Sequence, residues 1–228
     1  MPIFYDRYYI FLVVPAILLS LAVQLLLKST YAKYKRISNS RGCTGAQMAQ
    51  EILSSGGAQD VRVECIDGNL TDHFDPRAKV VRLSSDVYHG TSVAAIGIAA
   101  HECGHALQYK SQYFPMYLRS AVVGITNISS ALIYPLVVLS VVFELSQLLE
   151  LAIICFLIIF LFQLITLPVE FNASRRAVRQ IQAANFAQSD VIGVKKVLSA
   201  AAMTYVAAMI TALMNFLSFL LRVRRRNR

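Results

Sequence analysis

His101 and His105 stand four residues apart in AAHECGHALQY (99–109), with Glu102 directly after the first. On a helix, residues four apart share a face, so two imidazoles can each direct a nitrogen at one cation. Glu102 is rotated about 100° from His101 and can reach a metal-bound water without binding the metal itself. This is the H-E-x-x-H arrangement of zinc-assisted peptide hydrolysis. There the metal acidifies water and polarises the scissile carbonyl, and the glutamate passes a proton to the leaving amine. Small residues surround the pair (Ala99, Ala100, Gly104, Ala106), so another element can approach closely.

A catalytic zinc needs a third protein ligand and one open position. No histidine follows six residues beyond His105, so the metzincin pattern is absent. His73, His89 and carboxylates on the same side of a membrane remain as candidates. Glu170 is the first charged residue after a long apolar run and opens VEFNASRRAVRQIQ (169–182). At that position it could ligate the metal or only complement a helix dipole at an interfacial N-terminus. His73, in TDHFDPR, could line a substrate cleft or stabilise an oxyanion, or could bond its neighbours Asp72 and Asp75 in a turn. Tyr205 reads either as an oxyanion donor or as an interfacial aromatic anchor. Arg175 and Arg176 could bind a substrate carbonyl or C-terminus, or else lipid phosphate. His89 reads as a loop or cap residue.

The elements that must position these groups are largely apolar. Of 228 residues, 56% are hydrophobic, too many for a simple soluble globule, and they gather in long uncharged runs. Residues 8–27 form the first such run; its length and its Asp6–Arg7 flank argue against a cleaved signal peptide. Residues 120–143 and 151–169 form a hairpin of two spans joined by the acidic turn ELSQLLE. Residues 199–221 form a fourth run, richer in Ala, Met and Thr. The net charge of +9 lies beside these runs, which reads as topology and headgroup contact. No nucleic-acid motif or aromatic–basic interleaving accompanies it, so nucleic acid is not an expected partner. Cys43, Cys65, Cys103 and Cys155 show no CxxC spacing, which favours free thiols in a reducing compartment.

The expected organisation is a first span (1–27), a polar domain with the HECGH helix (28–119) and a hairpin of spans (120–169). A membrane-proximal helical segment (170–198), a fourth membrane helix (199–221) and a basic tail (222–228) follow. A hairpin returns the chain to the side it left, so both polar regions share one face. Lys28, Lys33, Lys35, Arg36 and Arg41 after the first span, and Arg175, Arg176 and Arg179 after the third, put that face in the cytoplasm. The tail RVRRRNR resists the scheme, because four full crossings would leave it outside. Within 28–119 the pattern is α+β. Thr44 with Gln47 forms a capping box for a helix ending near Gly56–Gly57. VRVECID (61–67) and KVVRLS (79–84) read as strands, and Thr91 or Ser92 caps an Ala-rich helix reaching about Lys110.

DHFDPRAKVVRLS (72–84), AAHECGHALQY (99–109), LPVEFNASRRA (167–177) and KKVLSAAAMTYVAA (195–208) together resemble the YugP-like family of bacterial membrane zinc metallopeptidases. The resemblance covers most of the chain, including the placement of its spans. It implies a gluzincin-like membrane peptidase, distantly similar to the HtpX and CAAX-protease group, with one zinc per chain. His101, His105 and Glu170 would be the ligands and Glu102 the general base. The HtpX-like group has an aspartate four residues after its ligand glutamate. Here that position is Ser174, with Asn172 nearby, and either could accept a hydrogen bond from a zinc-bound histidine.

The chain is therefore expected to be a mostly α integral membrane protein of about four transmembrane helices with a small α+β, zincin-like domain. Its expected activity is hydrolysis of protein or peptide substrates near the bilayer surface of a bacterial cell membrane, with membrane-protein quality control as one role. The rival is a non-catalytic membrane adaptor whose structural zinc is closed by a fourth ligand such as His73 or Cys103, though such a site has no use for Glu102.

Overall fold

The computed structural model describes residues 7–226; Asp6 and the last two residues of the tail, Asn227 and Arg228, lie outside them. The chain is mostly helical, with one small sheet. A π-helical stretch, Tyr9–Val13, leads into α1 (Val14–Lys35). Then come α2 (Gly45–Ser55), β1 (Arg62–Ile66), β2 (His73–Asp75), β3 (Val80–Ser84), α3 (Ser85–Tyr88) and α4 (Val93–Lys110). Three long helices complete it: α5 (Phe114–Val142), α6 (Ser146–Ala183) and α7 (Gln188–Arg226).

Among the described residues four helices are long and apolar enough to cross a membrane: Tyr9–Lys35, Phe114–Val142, Ser146–Ala183 and Gln188–Arg224. The last two differ from the sequence-based expectation. Most of 170–198 is helical, but Glu170 does not open a helix there: α6 continues through Glu170 to Ala183, and α7 starts at Gln188. Pro168 lies inside α6. A proline removes one main-chain hydrogen bond and favours a kink, but the helix continues on both sides of it, apolar before and polar after. At 1.5 Å per residue α6 is about 57 Å long, well beyond the ~30 Å hydrocarbon thickness, so its polar half extends past an apolar half able to span.

The chain divides into two compact units. One comprises Met1–Gln24, Leu118–Pro168 and Thr204–Arg228. Ile133, Leu136, Val137, Ala152, Cys155 and Phe219 form its buried cluster, with the Phe156 and Phe219 rings 4.6 Å apart. Several of its polar side chains bond within the unit, which lowers their cost in hydrocarbon. Ser20 and Thr211 share a hydrogen bond of 3.0 Å, and the Thr126 and Thr166 hydroxyls donate to carbonyls one turn back. Its outward side chains are Phe11, Ile128, Val138, Val141 and Val142, all exposed. Such a surface is stable against lipid and not against water.

The other unit comprises Leu25–Tyr117 and Val169–Met203. The sheet order is β1-β3-β2, with β1 and β3 parallel and β2 antiparallel to β3. Val80, Val81 and Leu83 of the central strand are fully buried. β1 and β3 match the strands expected from their alternation. The three-residue β2 was not expected; it is too short for a period-2 pattern and takes its register from β3. α2 starts at Thr44 with both halves of the capping box formed, and the Ser92 hydroxyl accepts from Ala95 N to cap α4. Around α4, Met48, Ile52, Val93, Ile96, Ile181 and Val194 form a continuous core with its alanines.

Candidate metal centre

α4 is built from small residues where it meets α6. A Cβ placed on Gly104 would lie 2.6 Å from the carbonyl oxygen of Ala173, so glycine is what lets the two backbones come together. Ala99, Ala100, Ala106 and Ala173 are all buried around this crossing. One turn before Ala173 on α6 is Glu170, only 2% exposed and facing His101 and His105.

His101, His105 and Glu170 form a compact group whose ligand atoms lie within 4.8 Å of one another. Glu170 Oε2 is 3.3 Å from His101 Nε2 and 3.6 Å from His105 Nε2. A tetrahedral zinc with bonds of about 2.0–2.2 Å holds its donor atoms roughly 3.3–3.6 Å apart, the range of the two Glu170–imidazole distances. The imidazoles are nearly perpendicular, at 86° with centroids 4.8 Å apart, and each turns its Nε2 inward.

The outward nitrogens are held. His101 Nδ1 is 3.2 Å from Ser174 Oγ, and His105 Nδ1 is 3.0 Å from Gln108 Oε1. The amide oxygen of Gln108 can only accept, so His105 carries its proton on Nδ1 and presents a lone pair at Nε2. A hydroxyl accepting from His101 Nδ1 does the same there. Burial works against a charged His105, yet the neighbouring carboxylates of Glu170 and Glu102 outweigh this and raise its pKa. The pocket attracts positive charge.

Gln108 is the residue that sequence reasoning missed. It is fully buried; its Nε2 donates to the Val169 carbonyl at 2.7 Å and to Asn172 Oδ1 at 3.1 Å. Asn172 Oδ1 also accepts from Arg176 Nε at 2.8 Å, so it supports His105 through Gln108 and not by direct contact. The available signal was a glutamine three residues past His105, on the same helical face, in a run of small and apolar residues.

The other candidates are not among the three residues of this group. His73 is on β2, exposed, with Nδ1 2.8 Å from the Thr71 carbonyl and Nε2 3.5 Å from Arg82. His89 caps α3 and packs edge-on against Tyr88. Cys103 is fully buried and donates to the Ala49 carbonyl; burial pushes its thiol far above the ordinary range and keeps it protonated. Tyr205 belongs to α7 in the other compact unit. Glu102 is half-buried, and among the described residues its carboxylate has no hydrogen-bond or ion-pair partner.

A helical chain with four apolar helices long enough to span and a buried His–His–Glu cluster belongs to the class of membrane proteins with a candidate metal centre. The family model described as "Putative neutral zinc metallopeptidase" matches residues 9–224, and the chain belongs to that family. "Putative membrane protease YugP" of Bacillus subtilis (strain 168) is 44% identical over 214 residues, which is 93% of this chain and 95% of that protein. No solved structure matches the chain. The relative's description and the four apolar helices together make this a membrane-associated protein.

Proposed function

We propose that the protein is a zinc-dependent endopeptidase of gluzincin type, one zinc per chain, that cleaves protein or peptide substrates close to the membrane surface. The observation that carries this reading is the convergence of His101 Nε2, His105 Nε2 and Glu170 Oε2 beside an unengaged Glu102. Zinc bound there would acidify a water and polarise a peptide carbonyl. Glu102 would be the general base for such a water, a role that requires the unengaged carboxylate it has. Gln108 holds His105 in its ligating tautomer, and the Ser174 hydroxyl is placed to accept from His101 Nδ1. The fold around α4 and its sheet is then zincin-like in its logic, with α6 supplying the third ligand.

A structural site closed by a fourth protein ligand fits less well. Among the described residues the group has three ligand residues, and His73 and Cys103 are engaged elsewhere. We assign the catalytic unit to the cytoplasmic face of a bacterial cell membrane, on the basic flanks of the first and third apolar runs. Its substrates would be membrane-proximal segments of other proteins, in keeping with a role in quality control.

The test measures zinc per chain and cleavage of a labelled unfolded protein for the detergent-purified wild type, Glu170→Ala and Glu102→Gln. About one zinc in wild type, its sharp loss in Glu170→Ala, and retained zinc without cleavage in Glu102→Gln are expected. Full zinc retention in Glu170→Ala overturns the ligand set. Cleavage by Glu102→Gln at the wild-type rate overturns the mechanism.

A further inference from the structure

A cleft of about 580 Å³ lies between the second half of α1 and the first half of α7, apart from the metal centre. Gly193 brings the helices together there: a Cβ on it would lie 2.8 Å from the Tyr34 ring and 2.7 Å from Val93 Cγ1. Beside Tyr34 and Ile192, which line the lysine end of the cleft, each helix sets out a series of cleft residues in the same order, counted outward from its apolar run. On α1 the order is Leu26, Thr30, Lys33; on α7 it is Met203, Ser199, then Lys196 and Lys195. The spacings are one and two helical turns, so each series faces one side of its helix. From apolar end to ammonium is seven residues, about 10 Å along a helix.

The three lysines are available. Lys35 pairs with Asp86 at 2.6 Å and Lys79 with Asp60 at 2.7 Å. Among the described residues Lys33, Lys195 and Lys196 have no carboxylate partner, and all three are exposed. Asp190, the acid nearest the α7 lysines in sequence, is buried and accepts from Ser40 N at 2.8 Å. Leu26 and Met203 are exposed apolar side chains at the other end. The cleft thus offers cations, then hydroxyls, then apolar surface over about 10 Å, on two helices able to cross a bilayer. An anionic phospholipid presents the complementary sequence of phosphate, ester and acyl chain over a similar distance.

We propose that this cleft binds one anionic phospholipid. Lys33, Lys195 and Lys196 hold its phosphate, Thr30 and Ser199 face its ester region, and an acyl chain lies along Leu26, Ala200 and Met203. The assignment is independent of the metal centre and of any peptidase activity.

The experiment is native mass spectrometry of the delipidated full-length protein offered phosphatidylglycerol or phosphatidylcholine. The variants are Lys33→Gln/Lys195→Gln/Lys196→Gln and, as a control of equal charge, Lys28→Gln/Arg36→Gln/Arg179→Gln. Circular dichroism melting of each verifies the fold. The expected result is one retained phosphatidylglycerol per chain, at least about tenfold preferred over phosphatidylcholine. That preference should be lost in the cleft variant and kept in the control. Equal losses in both variants, or equal retention of the two lipids, overturn the proposal. Displacement of the lipid by millimolar inorganic phosphate would assign the lysines to a free anion. Competition by a polyglutamate peptide would assign them to an acidic protein partner, and either outcome overturns the lipid.

Discussion

Gly104→Ala separates the packing of the metal centre from its chemistry, because it changes no ligand. A Cβ at this position lies 2.6 Å from the Ala173 carbonyl oxygen and 3.1 Å and 3.2 Å from its carbon and Cα. Unstrained contacts need about 3.5 Å, so α4 and α6 must separate by roughly 0.5–1 Å. Alanine gains about 1 kcal/mol of helix propensity over glycine, while overpacking costs about 1–3 kcal/mol. The net destabilisation should be small, about 0–2 kcal/mol. The proposed zinc site is less tolerant, since ligand distances in such sites are held to within about 0.2 Å. Glu170 sits one turn from Ala173 and moves with it, away from His101 and His105 on α4. Zinc affinity should therefore fall by about 10–100-fold, the range typical of lost ligand positioning, in a protein that still melts cooperatively. Equilibrium competition with a fluorescent zinc chelator, alongside circular dichroism melting, reads both quantities. Wild-type zinc affinity in a folded Gly104→Ala protein would refute the claim that this helix contact sets the ligand geometry.

Gln108→Leu should weaken zinc binding by about 10–100-fold, because His105 loses the acceptor that fixes its tautomer. The same change leaves the Val169 carbonyl without its donor and should cost about 1–3 kcal/mol in melting experiments. Asp75 accepts from the backbone N–H groups of Ala78 and Arg77 and from Arg82, and those bonds, Ala78's first, hold its carboxyl below the ordinary value. Its folded pKa is depressed, so its contribution is complete above about pH 4 and fades as pH falls through the folded value. Asp75→Asn should lower stability by about 1 kcal/mol at pH 7, with the gap to wild type closing in acid. A gap that stays constant down to pH 2.5 (~1.4 units below the free aspartate value) would show that the charge of Asp75 plays no part.

Local signals in the sequence carried the elements a long way. The Thr44–Gln47 box, the Ser92 cap, the alternation at 61–67 and 79–84 and the four apolar runs each depend on neighbours within one or two turns. Such information is complete in a short window. The HECGH spacing named His101 and His105 for the same reason: one helix by itself puts them on one face. It left Glu170 open among His73, His89 and other carboxylates, since a residue 65 positions past His105 is joined to it only by the α4–α6 crossing.

Tertiary structure decided what no window contains. It runs α6 unbroken past Pro168, which puts Glu170 within a helix and not at its start. It gives β2 a register through β3 that three residues could not specify alone. It recruits Gln108, an unremarked glutamine in the chain, to hold His105 and to tie α4 to Val169. The physical reason is common to all three. Side-chain periodicity reports which face of an element is buried, while the identity of what it is buried against depends on packing between segments far apart in the chain.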